Sequence, residues 1–243
     1  MTWSGLFENM SPANFINFSF LPKFGTFFIQ GVEYTLILSV IAVAIAVIPA
    51  LLLALMRLSK NRVVKSVSGA YIALFRSTPL LVQLYIIYFG VFGLIKIPSY
   101  NIFGFIDIAR FIPGVVALAL NSAAYVAEIF RAGILAVDIG QTEAARSLGL
   151  NGRQAMSLVV LPQAIKNILP ALANEIITMV KESSICMTLG MTELMWGAKT
   201  VAGTTYITIA PYVLAAIVYF CINFPASKAI EAIERRMRRG DKK

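Results

Sequence analysis

Four long stretches of this chain carry no charged residue: 34–56, 77–95, 111–127 and 200–227. A fifth apolar region, 163–192, holds Glu175, Lys181 and Glu182 within it. A helix that crosses a bilayer needs about 20 apolar residues, so the pattern predicts five crossings. The composition agrees. Apolar residues make up 58% of the 243 positions, charged residues only 14%, and the mean hydropathy is +0.78. A soluble domain carries about a quarter charged residues. The expected fold is therefore all-α and membrane-embedded.

The placement of charge sets the expected orientation. The net charge is +9, which taken alone would suit a nucleic-acid binder. Arg57, Lys60, Arg62 and Lys65, however, fill the first connection with no acidic residue among them. Arg131, Arg146, Arg153 and Lys166 lie in or around the third, and Lys228 to Lys243 supply a basic tail over 229–243. The alternate connections carry little more than Lys96, Arg110 and Lys199. Basic connections stay on the cytoplasmic side, which puts the N-terminus outside, the C-terminus inside, and accounts for the charge without nucleic acid. Five crossings have the odd parity this requires.

Crossings are expected at about 30–56, 67–95, 112–134, 163–188 and 210–228, the last opening on Pro211, which suits a first helical turn. A Phe-rich segment, 12–28, is interrupted by Asn14, Asn17, Pro22 and Lys23 and reads as a lead-in lying in the outer headgroup region. The polar stretch 138–162 reads as cytoplasmic helices. No internal repeat or hinge divides the chain, so 1–243 is expected to form one membrane domain. With no basic region and small-residue cleavage site ahead of it, the first crossing is expected to act as an uncleaved signal.

Several chemistries are excluded. Without a histidine there is no Ser-His-Asp triad and no His-based zinc site. Cys186 and Cys221 lie in apolar runs and read as packing residues. A phosphate-binding Gly-x-x-x-x-Gly-Lys-Ser/Thr loop does not occur, so the chain is not expected to hydrolyse ATP or to be an enzyme, nor to hold a cofactor or metal.

Depth along the crossings collects polar residues. Arg76 and Thr78 lie about 16–20 Å up the second crossing, and Asn121 and Ser122 about 17 Å into the third. Glu175, Lys181 and Glu182 fall 20–28 Å along the fourth. A charge at mid-membrane costs about 2.5–3.5 kcal/mol even on the lenient insertion scale, so these groups must face protein or water. Asn174, Thr178 and Lys181 share one helical stripe and Glu175 with Glu182 a neighbouring one. Mixed charge at this depth suits an amino acid, whose ammonium needs an acceptor and whose carboxylate needs donors. The competing reading is that these charges pair with one another to hold the bundle or a dimer. Glu128 and Arg131 read as a structural pair, and Tyr125 can serve either role. Pro79 removes a helix hydrogen bond, which a polar or water-lined neighbourhood can accommodate.

One ordered set of motifs goes further. Glu143-Ala144-Ala145, Gly149, and Val159-x-Leu161-Pro162 fall in fixed succession. They accompany Gly31–Ser39, Arg76–Gln83, Asn121–Gly133, Pro162–Ala164 and Asn174–Ser184. Together they resemble the permease subunits of polar amino-acid ABC importers with the type I fold, Val159 standing where the pattern usually has Ile. The resemblance implies that Glu143, Ala144, Ala145, Gly149 and Leu150 meet a separate ATPase, which binds ATP and Mg. It also implies two ATPase subunits, a second permease chain (identical or homologous), an extracytoplasmic amino-acid-binding protein, and a bacterial inner-membrane location. The alternatives are a permease for another small polar solute and a self-sufficient secondary transporter.

Overall fold

The computed structural model describes residues 16–95 and 97–238. Helix α1, Leu21–Leu58, has 38 residues and at 1.5 Å per residue runs about 57 Å, well beyond a bilayer core of about 30 Å. Pro22 sits in its first turn, where its missing N–H costs nothing. The Phe-rich lead-in is thereby corrected. Positions 12–15 lie outside the described residues, but 21–28 are the first turns of α1 rather than a broken segment. Phe20 and Phe28 are buried, with Leu194, Ala198 and Val201, in a core of their own.

Ala42, Ala46, Ala50 and Ala54 recur every four residues along α1, all fully buried. They let it approach α4, Ile108–Leu135, whose Ala119, Ala123, Ala124 and Ala127 share a core with Ala46, Ala50 and Ala54. In lipid, where no solvent drives helices together, small side chains allow the close backbone approach on which dispersion contacts depend. Asp107 caps α4 by accepting from the Ala109 amide at 3.1 Å, at the end of a short antiparallel hairpin, β1 (Asn101–Ile102) and β2 (Ile106–Asp107).

The second crossing is broken rather than merely kinked. Helix α2, Arg62–Ser77, starts on an Asn61 cap and ends before Pro79. Helix α3, Leu80–Tyr85, then continues through a π-helical turn, Ile86–Val91, and a 3-10 turn, Phe92–Leu94. The two arms differ in direction by 106°. Both arms lie along α4. Tyr71 donates to the Leu120 carbonyl at 2.8 Å, Gln83 meets Asn121 at the middle of α4, and Phe92 lies by Ala109 and Pro113 at its start. With this pair as one crossing, the four long apolar helices make five.

Two short helices follow α4, α5 (Ile139–Ser147) and α6 (Gly152–Ala155). A π-helical turn, Met156–Val160, then leads into α7, Leu161–Glu182, which ends in a 3-10 turn, Ser183–Leu189. Helix α9, Ala210–Arg238, runs ten residues beyond the expected end of the fifth crossing and takes the described part of the basic tail with it. Between α7 and α9 lies α8, Leu194–Thr205, a stretch to which hydropathy assigned no element.

Helix α8 is locked onto α1 by two glycines. A Cβ on Gly31 would stand 2.7 Å from the Leu194 Cα, and one on Gly197 would stand 3.0 Å from the Phe27 carbonyl. Glu193, fully buried, caps α8 by accepting from the Met195 and Trp196 amides at 2.8 and 2.6 Å. The Tyr219 hydroxyl of α9 also donates to it at 3.1 Å. Burial pushes this carboxyl up to about 7, against the amide and hydroxyl donors that favour the charged form.

Candidate transport pathway and coupling loop

Asp138 opens α5 by accepting from the Gly140 amide at 2.7 Å. Its end is a glycine-terminated turn. The Leu150 amide donates to the Ala145 carbonyl at 3.2 Å and the Gly149 amide to Arg146 at 3.0 Å, with Gly149 in the left-handed region at φ 88°. Asn151 and Gln154 then exchange side-chain and backbone hydrogen bonds at 2.9 and 3.0 Å, a capping box that starts α6. The polar stretch is thus a compact helix–turn–helix.

Among the residues expected to meet a partner, Glu143, Ala144 and Gly149 are exposed and Leu150 half-buried. Ala145 is only 4% exposed. It packs inward, which removes it from the outer surface. Ile139 and Leu148 are instead 75% and 85% exposed, an apolar pair on a polar loop that the order of motifs did not single out.

The mid-depth polar residues fall into three sets. The first serves the break between α2 and α3. The Gln83 amide donates to the Phe75 and Thr78 carbonyls at 2.8 and 3.0 Å and to the Thr78 hydroxyl at 2.7 Å. Asn121 donates to the Gln83 carbonyl oxygen at 2.8 Å. Gln83 therefore holds the Phe75 carbonyl that Pro79 left unpaired, the Thr78 hydroxyl and Asn121 hold Gln83, and Asn121 is 3% exposed.

The second set lines a cavity of about 510 Å³ between α4, α7 and α9, with Arg76, Tyr125, Glu128, Asn167, Pro170 and Glu175 on its walls. Arg76 lies over the Tyr125 ring, 5.4 Å from its centroid. Glu175 is 8% exposed and accepts from the buried Ser122 hydroxyl at 2.8 Å. Among the described residues Glu175 forms no ion pair with Lys181 or Arg76, and its hydrogen bond from Ser122 joins α7 to α4. Glu128, in contrast, takes both Nε and Nη2 of Arg131 at 3.0 and 2.8 Å. That is the structural pair the sequence suggested.

The third set is the outer stripe of α7. Asn174 and Lys181 are exposed and Thr178 half-buried. Lys181 and Glu182 border a groove of about 720 Å³ with Leu80, Met195 and Tyr219. Packing separates Glu175, which turns towards α4, from Glu182, which shares the outer groove with Lys181. No group of three or more Cys, Asp or Glu among the described residues could hold a metal.

The sequence profile described as binding-protein-dependent transport system inner membrane component matches residues 46–239. The chain belongs to that family. It is a multi-pass inner-membrane transport component. A relative from Rickettsia typhi, provisionally named a glutamine transport system permease protein, is 41% identical over 218 residues, 90% of this chain and 95% of its own length. An arginine transport system permease protein of Bacillus subtilis is 39% identical over 215 residues, 88% of this chain and 94% of the relative. A crystal structure of an amino acid ABC transporter with histidines superimposes with a TM-score of 0.81 at 46% identity, covering 91% of this chain and 99% of the other. A chain of a methionine ABC transporter in an inward-facing conformation, 21% identical with a TM-score of 0.64 over 85% of this chain and 96% of that one, shares the fold. This inner membrane component therefore has the type I permease architecture the motifs implied.

Proposed function

We propose that the chain is the permease subunit of an ATP-driven importer of polar amino acids. It would form the pathway with a second permease chain and draw its energy from a pair of ATPase subunits beneath the α5–α6 turn. An extracytoplasmic binding protein would deliver the cargo, with the N-terminus outside and the C-terminus inside. The cavity that carries Arg76 and Glu175 on one continuous lining is the observation on which the cargo class rests. It offers a guanidinium for a carboxylate and a carboxyl for an ammonium within a space of amino-acid size. The relatives' names, glutamine, arginine and amino acid transport, point to the same class.

The coupling side rests on the exposed face of α5. Glu143, Ala144 and Gly149 present a low surface flanked by Ile139 and Leu148, and nothing lies within 4 Å of where a Gly149 Cβ would stand. Closure of the ATPase pair would draw two such loops together and tip the bundle between outward- and inward-open states, a population shift set by differential contacts in the two.

The test is uptake of L-glutamine and L-arginine into proteoliposomes holding this permease, its ATPase and its binding protein. Glu143→Arg should abolish ATP-driven uptake while leaving the permease folded. Glu175→Gln should reduce uptake with the ATPase still assembled. Amino-acid movement by the permease alone, with no ATPase present, would overturn the assignment.

A further inference from the structure

Three guanidiniums surround one carboxylate where α1, α2 and α4 meet. Arg131 donates from both Nε and Nη2 to one oxygen of Glu128, Oε2. Arg57, in the last turn of α1, comes no closer to that carboxylate than 4.0 Å. Its Nε is buried without a hydrogen-bond partner. Arg76 rests on the Tyr125 ring and has no carboxylate within ion-pair distance among the described residues. Three guanidiniums thus share one carboxylate, which leaves an excess of positive charge at the edge of a membrane bundle.

These groups line a pocket of about 450 Å³, with Arg57, Gly69, Arg76, Ser77, Tyr125 and Glu128 around it. Gly69 is what opens it: a Cβ there would stand 3.2 Å from the Arg57 Nη1. The pocket is on the same side of the bundle as α5, since α4 runs from Glu128 and Arg131 straight into that turn. The two helices beside it carry exposed apolar side chains, Leu55 at 54% on α1 and Val67 and Leu74 at 56% and 60% on α2.

We propose that this pocket holds the phosphate of an anionic phospholipid, with Arg57 as its ligand and the neighbouring apolar faces against its acyl chains. Guanidinium forks match the oxygens of a phosphate, and basic pockets between transmembrane helices on the cytoplasmic side suit anionic headgroups. A resident lipid neutralises the Arg57 charge at every stage of a transport cycle and leaves Arg76 to the cargo cavity. The inference rests on membership of the inner-membrane family and not on the cargo assigned above.

The experiment uses the full transporter, permease with its ATPase, in nanodiscs of phosphatidylcholine with and without phosphatidylglycerol. Native mass spectrometry after detergent extraction counts the lipids retained per complex. Wild type should keep phosphatidylglycerol in preference to phosphatidylcholine. Arg57→Gln should weaken that retention about tenfold or more, the worth of one charge-assisted hydrogen bond. Gly69→Leu, which fills the pocket and crowds the Arg57 guanidinium while keeping its charge, should do the same. Lys60→Gln removes one charge from the exposed neighbouring loop and should change retention less than twofold. Thermal unfolding of each variant confirms that it is folded. Equal losses for Arg57→Gln and Lys60→Gln, or retention indifferent to headgroup charge, would overturn the site. Arg57-dependent binding of inorganic phosphate or of L-glutamine with no retained lipid would overturn the lipid as its occupant.

Discussion

Replacing Gln83 by leucine should cost more stability than its place in an apolar crossing suggests. The Gln83 amide satisfies backbone that Pro79 has freed, and 7% exposure leaves no water to take over. Two of its partners have other contacts. The Phe75 carbonyl also receives Asn121 at 3.4 Å, and the Thr78 hydroxyl still donates to Leu74 at 2.8 Å. The Thr78 carbonyl and the Asn121 amide lose their close partner. A buried polar group left unmade costs about 1–3 kcal/mol, which for two groups gives about 2–6 kcal/mol. Hydrogen bonds between membrane helices average only about 0.6 kcal/mol because the unfolded chain in lipid finds substitutes. The break is local and geometrically fixed, so the expected cost is near the lower end of the first range, about 2 kcal/mol. Unfolding in mixed micelles measures it. A double-mutant cycle with Asn121→Leu should show coupling of about 1 kcal/mol, because removing both partners orphans fewer groups than the two single changes together. A Gln83→Leu cost below about 0.5 kcal/mol, the level of an uninvolved surface change, with strict additivity in the cycle, would refute this account of the break.

Gly31→Ala places a methyl group 2.7 Å from the Leu194 Cα. Because backbone cannot step aside as a side chain can, α8 should part from α1 at a cost of about 3 kcal/mol, read as faster hydrogen exchange in 194–205. Glu193 titrates near 7 when folded, above an ordinary carboxyl, so the folded state binds the extra proton. The stability it contributes is complete in acid and is lost as pH rises through about 7. The melting temperature should fall between pH 5 and 8, and Glu193→Gln should flatten that dependence; an unchanged slope in the variant refutes the link. Ser122→Ala removes the hydrogen bond that orients Glu175 and should weaken cargo-stimulated ATP turnover severalfold with assembly intact, while Ser122→Thr restores it.

The crossings and the polar turn between the third and fourth were legible for a simple reason. Lipid admits few charges, so gaps between charges mark where the chain is immersed, and the order Glu143, Gly149, Pro162 survives as a linear pattern. Packing was not legible. Hydropathy placed an interfacial segment where α1 already begins, and missed α8 because its twelve residues are short of a full crossing. Ala145 has the same small side chain as Ala144, and only the turn that folds back onto α5 puts one inside and the other outside. Arg57 read as one more basic residue in a retained connection; its buried Nε depends on Gly69 twelve positions later.

From the residues alone came immersion and charge: which stretches are apolar enough to enter the membrane, and which connections carry the positive charge. Tertiary structure decided the pairings. Ser122 and Glu175 are 53 positions apart, Asn121 and Gln83 are 38 apart, and Thr35 and Leu194 are 159 apart. Solvent preference is a property of each segment by itself and can be read in one dimension. Which neighbour satisfies a buried polar group depends on how helices cross, and that geometry exists only once they have packed.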